Sequence, residues 1–396
     1  MWLALLMVVA VQGPARPPTP LTLEDALRQA RLARGRPGAA AAGVAEARAQ
    51  RSLAGRVPNP DVSYEHTGDP PRQHFFVAQS LSWLLTRGAD RAAAAADIRR
   101  AQADSVGTLA ELVQDVRIAF FSALGGAETL RLVEEQVGFS DSLTRIARAR
   151  LSVGDISQFE YAQVAQDARR AQQLLSETRE AALTSEAALR RALGWTESAP
   201  PVPAGPLDAD LLTESAAPFA SDSIPVVRSA VADSLAAALN LVSARRARLP
   251  IPSLTAGAEW DDPDQPGQTL GVIGLALPLP LWHVSGAEVA LARARAELAA
   301  SETRETRLEA TRAVSEAQVR LAESARRARF ARDSLVPAAR ELRLRAVAAY
   351  RAGETGVLPV LDAMRSEREV VLEGVAALVA FQEARARWGA LLGRLQ

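Results

Sequence analysis

The chain has no cysteine, and this removes thiol nucleophiles, cysteine-ligated zinc, disulfides and cysteine-borne lipid anchors. Lysine is missing too, because all 46 basic residues are arginine. A Walker-A phosphate loop and a Schiff-base lysine are therefore impossible. Codon bias in a GC-rich genome is the plain cause of such a gap. Aromatic residues make up only 5% of the chain, too few for a thick mixed core, whereas its many alanines, arginines, leucines and glutamates suit long helices. The 46 basic and 46 acidic side chains cancel, so no global field draws the chain to nucleic acid or to an anionic membrane surface. Apolar runs are short. Residues 1–13, MWLALLMVVAVQG, followed by PARPPTP, read as a secretory signal peptide over residues 1–15 that lacks the usual positive start. Beyond it, no stretch is expected to reach the roughly 18–20 apolar residues of a membrane-spanning helix. Any membrane insertion must then use strands.

What is present is a repeat. Gly88 in LLTRGADRAAAA corresponds to Gly286 in WHVSGAEVALARA, 198 positions on, while Gly154 matches Gly353 and Gly194 matches Gly393, each 199 on. A near-constant offset over three landmarks marks a duplicated unit. The reading is a first repeat at 16–195, a Pro-, Ala- and Ser-rich linker at 196–222 and a second repeat at 223–396. Each repeat opens with a helical stretch, 22–56 and 225–249. A proline-bounded pair of extended runs follows, turning at TGDPP in the first repeat and DDPDQPG in the second. The second pair carries about six extra residues, which loops tolerate and strand registers do not. Uninterrupted helical patterns then run from Gly88 to Gly154 and from Gly286 to Gly353, each on the order of 100 Å long at 1.5 Å per residue.

Apolar residues recur at three- and four-residue steps (Leu109, Val113, Val116, Phe120, Leu124), and again in the last helix (Val371, Val375, Leu378, Phe381). This is the spacing of a coiled-coil seam. The return helix, about 155–193, spans only about 60 Å and cannot cover the outgoing helix alone. Stacked end to end with the preceding short helix, it can. That arrangement puts the strand pair at one end of the molecule and the Gly154 turn at the other. Two hairpins give four strands per chain, too few to close a barrel. Open edges are forbidden in a membrane, so several chains must share one barrel, and three chains supply twelve strands.

With these parts in order, the chain resembles the TolC-like outer-membrane efflux proteins over nearly everything after residue 20. The resemblance rests on LTLEDALRQA, the NP before the first strand, the paired VGD and AGET turns, LPLPLW before the second long helix, and the closing ALGW and LLGRL. It implies a mainly helical protein with membrane strands. Three copies would form a twelve-stranded barrel continuous with an α-helical tunnel, and the linker would lie at the tunnel's equator. The expected function is a passive export duct in the outer membrane. Its expected partners are a periplasmic adaptor, an inner-membrane pump and outer-membrane lipid, and no cofactor, metal or nucleic acid is expected. AQSLSW and LPLPLW resemble the heavy-metal efflux branch of the family.

Under the same resemblance, the two glycine turns are the helical-hairpin tips of the periplasmic mouth. Val153, Gly154 and Asp155 in one, and Ala352, Gly353 and Glu354 in the other, would meet the adaptor. The bland alternative for each is a helix-connecting turn. Tyr350 and Asp362 match two members of the family's entrance-closing network, whereas Thr355 and Pro359 stand where an Arg and an Asp would be. Asp362 is either one carboxylate of an acidic ring about the pore axis or a solvated helix residue. Closure is expected to rest on apolar packing through Leu358 and Leu361.

Other candidates are thinner. His66 and His74 flank the first turn as a conceivable metal-ligand pair without a third ligand. Trp83 and Trp282 occupy matching places after each hairpin, either as an interfacial aromatic girdle or as packing. No nucleophile–base constellation exists, so an enzyme is not expected. A periplasmic coiled-coil adaptor or scaffold is the alternative of another class, but it needs one helical hairpin and no strands.

Overall fold

The computed structural model describes residues 20–32, 35–196, 200–209, 211, 219–278 and 286–395. The expected signal peptide and Trp282 lie outside these. The chain begins with a short strand β1 (Pro20–Leu21), then helices α1 (Leu23–Leu32) and α2 (Arg36–Leu53). Strands β2 (Asp61–His66) and β3 (Gln73–Ser80) form the first hairpin, and helix α3 (Trp83–Ser152) returns as α4 (Gln158–Leu193). After β4 (Val202–Pro203) comes the second unit, with α5 (Pro225–Ala247), β5 (Ser253–Trp260), β6 (Leu270–Ala276), α6 (Gly286–Phe330), α7 (Val336–Ala352) and α8 (Val357–Leu391). Both repeats thus have the expected order of parts. The first strand turn has six residues and the second nine, so the turn holds about half of the extra residues of the second hairpin.

Helices α2 and α4 both pack on α3, and α5 and α8 both pack on α6, so two shorter helices do cover one long one. The two repeats join because α5 and α8 also lie along α3. The core is a string of apolar layers between helices rather than one centre. Phe120, Leu189 and Leu193 fill one layer, and Phe381, Trp388 and Val314 fill another. Many seam positions are alanine, such as Ala96, Ala103, Ala110 and Ala147, which lets the helix axes approach closely.

Three expectations need correction. Residues 22–56 form two helices, α1 and α2, rather than one. The second long helix is not uninterrupted. A π turn at Ala331–Leu335 separates α6 from α7, directly before Pro337 at the start of α7. Proline has no N–H for the helical ladder and its ring crowds the carbonyl four residues back, and a widened turn accommodates both. The first repeat has Gly138 at the corresponding place, and α3 passes through it unbroken. Finally, α5 is long and apolar enough by length and composition to cross a membrane. Its polar ties go to α3, however: Ser229 Oγ donates to Asp104 at 2.5 Å, Ser243 Oγ to Asp90 at 2.5 Å, and Asp233 pairs with Arg100 at 3.6 Å. It is a bundle helix between α3 and α6.

The described linker residues pack on the bundle. Strand β4 pairs in parallel with β1, and Gln382, fully buried on α8, donates to the carbonyls of Leu207 and Ala209 at 2.9 Å each. Arg332 of the π turn reaches Asp208 at 3.3 Å. The interruption of the second long helix and the linker therefore dock on one another.

Candidate functional site

Two ends of the molecule carry the features of interest. At the helical end, α3 stops at Ser152 and α7 at Ala352, each followed by a glycine at φ +77°. That left-handed conformation costs an L-residue roughly 1–2 kcal/mol, and glycine adopts it freely. Each turn is closed by the same pair of bonds. Asp155 N–H donates to the Arg150 carbonyl at 2.9 Å and Gly154 N–H to that of Leu151 at 3.0 Å; Glu354 N–H donates to Ala349 at 2.9 Å and Gly353 N–H to Tyr350 at 3.2 Å. These are Schellman closures, which satisfy helix carbonyls that would otherwise be orphaned.

The tips lie side by side. Leu143 and Ala147 of α3, Val164 of α4, Tyr350 of α7, and Val357, Val360, Leu361 and Met364 of α8 form one apolar cluster behind them. The expected tip residues Val153, Gly154, Asp155, Ala352, Gly353 and Glu354 are all exposed at the ends of the hairpins. Two apolar residues join them, Phe159, not singled out from sequence, and Leu358, expected there to serve apolar closure. Phe159 is 70% exposed and Leu358, 199 positions on, is 50% exposed, so each return helix presents one apolar side chain just past its tip. The repeat offset could have revealed this pair. Leu361 is buried as expected for apolar closure, whereas Leu358 faces outward and contributes nothing to that packing.

Tyr350 and Asp362 are not brought together. The Tyr350 ring is buried in the cluster, and Arg150 stacks 4.4 Å from the ring centre and donates to the Tyr350 carbonyl at 3.4 Å. Asp362 is 75% exposed and pairs loosely with Arg365 at 3.6 Å. A different polar tie joins the hairpins: Asp167 of α4, 2% exposed, accepts from Arg365 at 3.0 Å and Arg368 at 3.4 Å on α8. Nothing in the local sequence marks Asp167, because its partners lie about 200 positions away.

At the other end, the two hairpins merge into one antiparallel sheet in the order β2-β3-β5-β6, with β2 and β6 as free edges. The register sorts its side chains into two faces. Val62, Tyr64, Phe75, Val77, Leu254, Ala256, Ile273 and Leu275 share one face, which is apolar, with Ile273 84% exposed. Asp61, Ser63, Glu65, His74, Thr255 and Glu259 share the other. His66 and His74 fall on opposite faces, so they do not form a metal pair. Trp83 starts α3 under the Arg87 guanidinium, at 5.3 Å, where sheet becomes helix. An exposed apolar sheet face backed by a polar one is the signature of a membrane barrel wall.

Sequence comparison then bears on the second repeat. Residues 220–394, essentially the whole second repeat, match the profile described as "Outer membrane efflux protein". The second repeat therefore carries that family's sequence pattern. The first repeat carries the same fold by duplication. No curated protein gives a significant sequence match. Among solved structures, this chain is similar to the Neisseria gonorrhoeae MtrE outer membrane channel in its open state, at 16% identity and a TM-score of 0.77, covering 94% of this chain and 89% of that one. The Campylobacter jejuni CmeC outer membrane channel is similar at 17% identity, TM-score 0.73, covering 94% and 85%. CusC, described as forming a transmembrane channel, is similar at 17% identity and TM-score 0.74, covering 94% and 92%. At such identities the likeness is one of fold. The profile matched by the second repeat and the fold shared by the whole chain are both those of outer membrane efflux channels.

Proposed function

We infer that three copies of this efflux protein form a passive duct that carries solutes from the periplasm to the cell exterior. The observation that carries the reading is the four-stranded sheet with one apolar face and two unpaired edges. Such a sheet is incompatible with water on its apolar face, and with lipid at its edges unless β2 of one copy pairs with β6 of the next. Three sheets close into twelve strands, a size that leaves an open lumen. The helices then continue the wall as a periplasmic tunnel, with the linker around its middle.

The tips are the docking surface for a periplasmic adaptor, which in turn connects to an inner-membrane pump. Val153, Gly154 and Asp155, with Ala352, Gly353 and Glu354, supply the backbone shape, and Phe159 and Leu358 supply apolar anchors. Three copies of the exposed Asp362 would form an acidic ring near the entrance, held less by Tyr350, which faces the core, than by helix packing. The AQSLSW and LPLPLW segments support a heavy-metal cargo. A periplasmic adaptor or scaffold leaves the sheet without a role.

Planar-bilayer recording of detergent-purified protein tests this. Discrete, stable conductance steps are expected, with weaker cation preference in Asp362→Asn and little conductance change in Tyr350→Phe. Absence of steps from a water-soluble monomer would overturn the duct.

A further inference from the structure

The polar face of the sheet carries charge of one sign. The four strands contain Asp61, Glu65 and Glu259 but no arginine, and all three carboxylates fall on that face. Glu65, His74 and Glu259 stand in one row across β2, β3 and β5, because Glu65 pairs with His74 and His74 with Glu259. His74 Nδ1 lies 3.3 Å from the Glu259 carboxylate, its Nε2 lies 3.2 Å from Thr67 Oγ1 in the turn, and its ring stacks on Phe76 with centroids 6.3 Å apart. The row sits next to the strand turns, at the end of the sheet away from the helices.

We propose that this row is the ion-selecting band of the barrel's outer end. It favours cations when His74 is neutral and relaxes when His74 is protonated. The proposal rests on the duct reading, since only barrel closure with the apolar face outward turns the polar face into a lumen. In a closed trimer the row repeats three times, giving six glutamates and three histidines at one level of the pore. Rings of carboxylates in a narrow channel raise local cation concentration and repel anions. The imidazole changes the balance because histidine is the side chain that changes charge between pH 5 and 8. The charged groups that face it are Glu65 from β2 and Glu259 from β5. On β6 the residue opposite Glu259 is Leu270, and His66 is on the other face.

The test is the reversal potential of single channels in a salt gradient, for the full chain and for Glu65→Gln, Glu259→Gln, their double variant and His74→Gln. The double variant is expected to lower the cation-over-anion permeability ratio severalfold, with each single variant part-way. Acidification from pH 8 to pH 5 is expected to lower the ratio in the parent, and His74→Gln is expected to lose part of that response. Conducting Gln variants with unchanged ion preference, or a His74→Gln channel with the parent's pH response, would overturn the proposal while leaving the duct intact. Failure of the parent to conduct at all sinks the duct itself, and this band with it.

Discussion

The two hairpin tips share a backbone and differ in what locks it. Both place glycine at φ +77° and both close with the same two carbonyl bonds. In the first tip, Ser157 caps α4 through a reciprocal box. Glu160 N–H donates to Ser157 Oγ at 3.1 Å, and Ser157 N–H donates to the Glu160 carboxylate at 2.8 Å. Arg150 adds an ion pair to Asp155 at 3.6 Å. In the second tip, Gly356 takes the cap position without any side-chain cap, and Glu354 has no ion-pair partner among the described residues. The second tip instead leans on the first, through Arg150 over Tyr350 and the Asp167 tie. Duplication preserved the turn, and divergence left one tip self-supporting and the other dependent.

The largest expected effect comes from cutting that dependence. Asp167→Ala leaves Arg368 largely buried without its carboxylate, and breaking a buried pair costs about 3–5 kcal/mol. Partial exposure of Arg365 reduces this to about 2–3 kcal/mol. Hydrogen exchange should show α8 below the second tip opening sooner while α3 is unchanged. Equal loosening of both tips contradicts the asymmetry. Gly154→Val and Gly353→Val come next, at about 1–2 kcal/mol of strain each. Export is expected to fall in both while trimers still assemble, and unchanged export in the double variant argues against docking at the tips. Ser157→Ala removes the cap and should cost about 1 kcal/mol. The converse Gly356→Ser should gain only a few tenths of that unit. A melt in which Gly356→Ser stabilises more than Ser157→Ala destabilises reverses the ranking.

The smallest effect is a pH dependence confined to the first tip. Hydrogen bonds from the Ser157 backbone and then its hydroxyl hold the Glu160 carboxyl below its ordinary range. A depressed folded-state pKa stabilises above the unfolded value, about 4.3 to 4.5, and that help is lost as pH falls through the folded value. Amide exchange at the start of α4 should therefore quicken below about pH 4.3, with no matching change at the start of α8.

The helical plan was legible because it is written locally. Apolar spacing, proline-bounded strands and two glycine turns at a constant offset are read without knowing any contact. The π turn was less legible, although Pro337 inside a helical pattern was its signal. Helix α5 was legible as the opening helix of the second repeat, but its apolar length was underestimated, and length and hydropathy alone do not distinguish a bundle helix from a membrane span. Asp167 and the Glu65–His74–Glu259 row were hidden for another reason. Each depends on pairing across elements far apart in sequence, and only the register reveals it. The residues that the resemblance named as tips are exposed at the ends of the two helical hairpins, and the Tyr350 ring packs inward behind Arg150.

The claim on which everything else depends is that β2 of one copy pairs with β6 of the next and that the ring closes at three. The absence of native cysteine makes this directly measurable. Ser63→Cys on β2 combined in turn with Val272→Cys, Gly274→Cys or Ala276→Cys on β6, all on the polar face, brings one pair within disulfide reach. Oxidation in native outer membranes should convert monomer to a ladder ending at the trimer, with the band abolished when either cysteine is absent. A ladder that continues past three, or a chain that stays monomeric in every combination, contradicts the account.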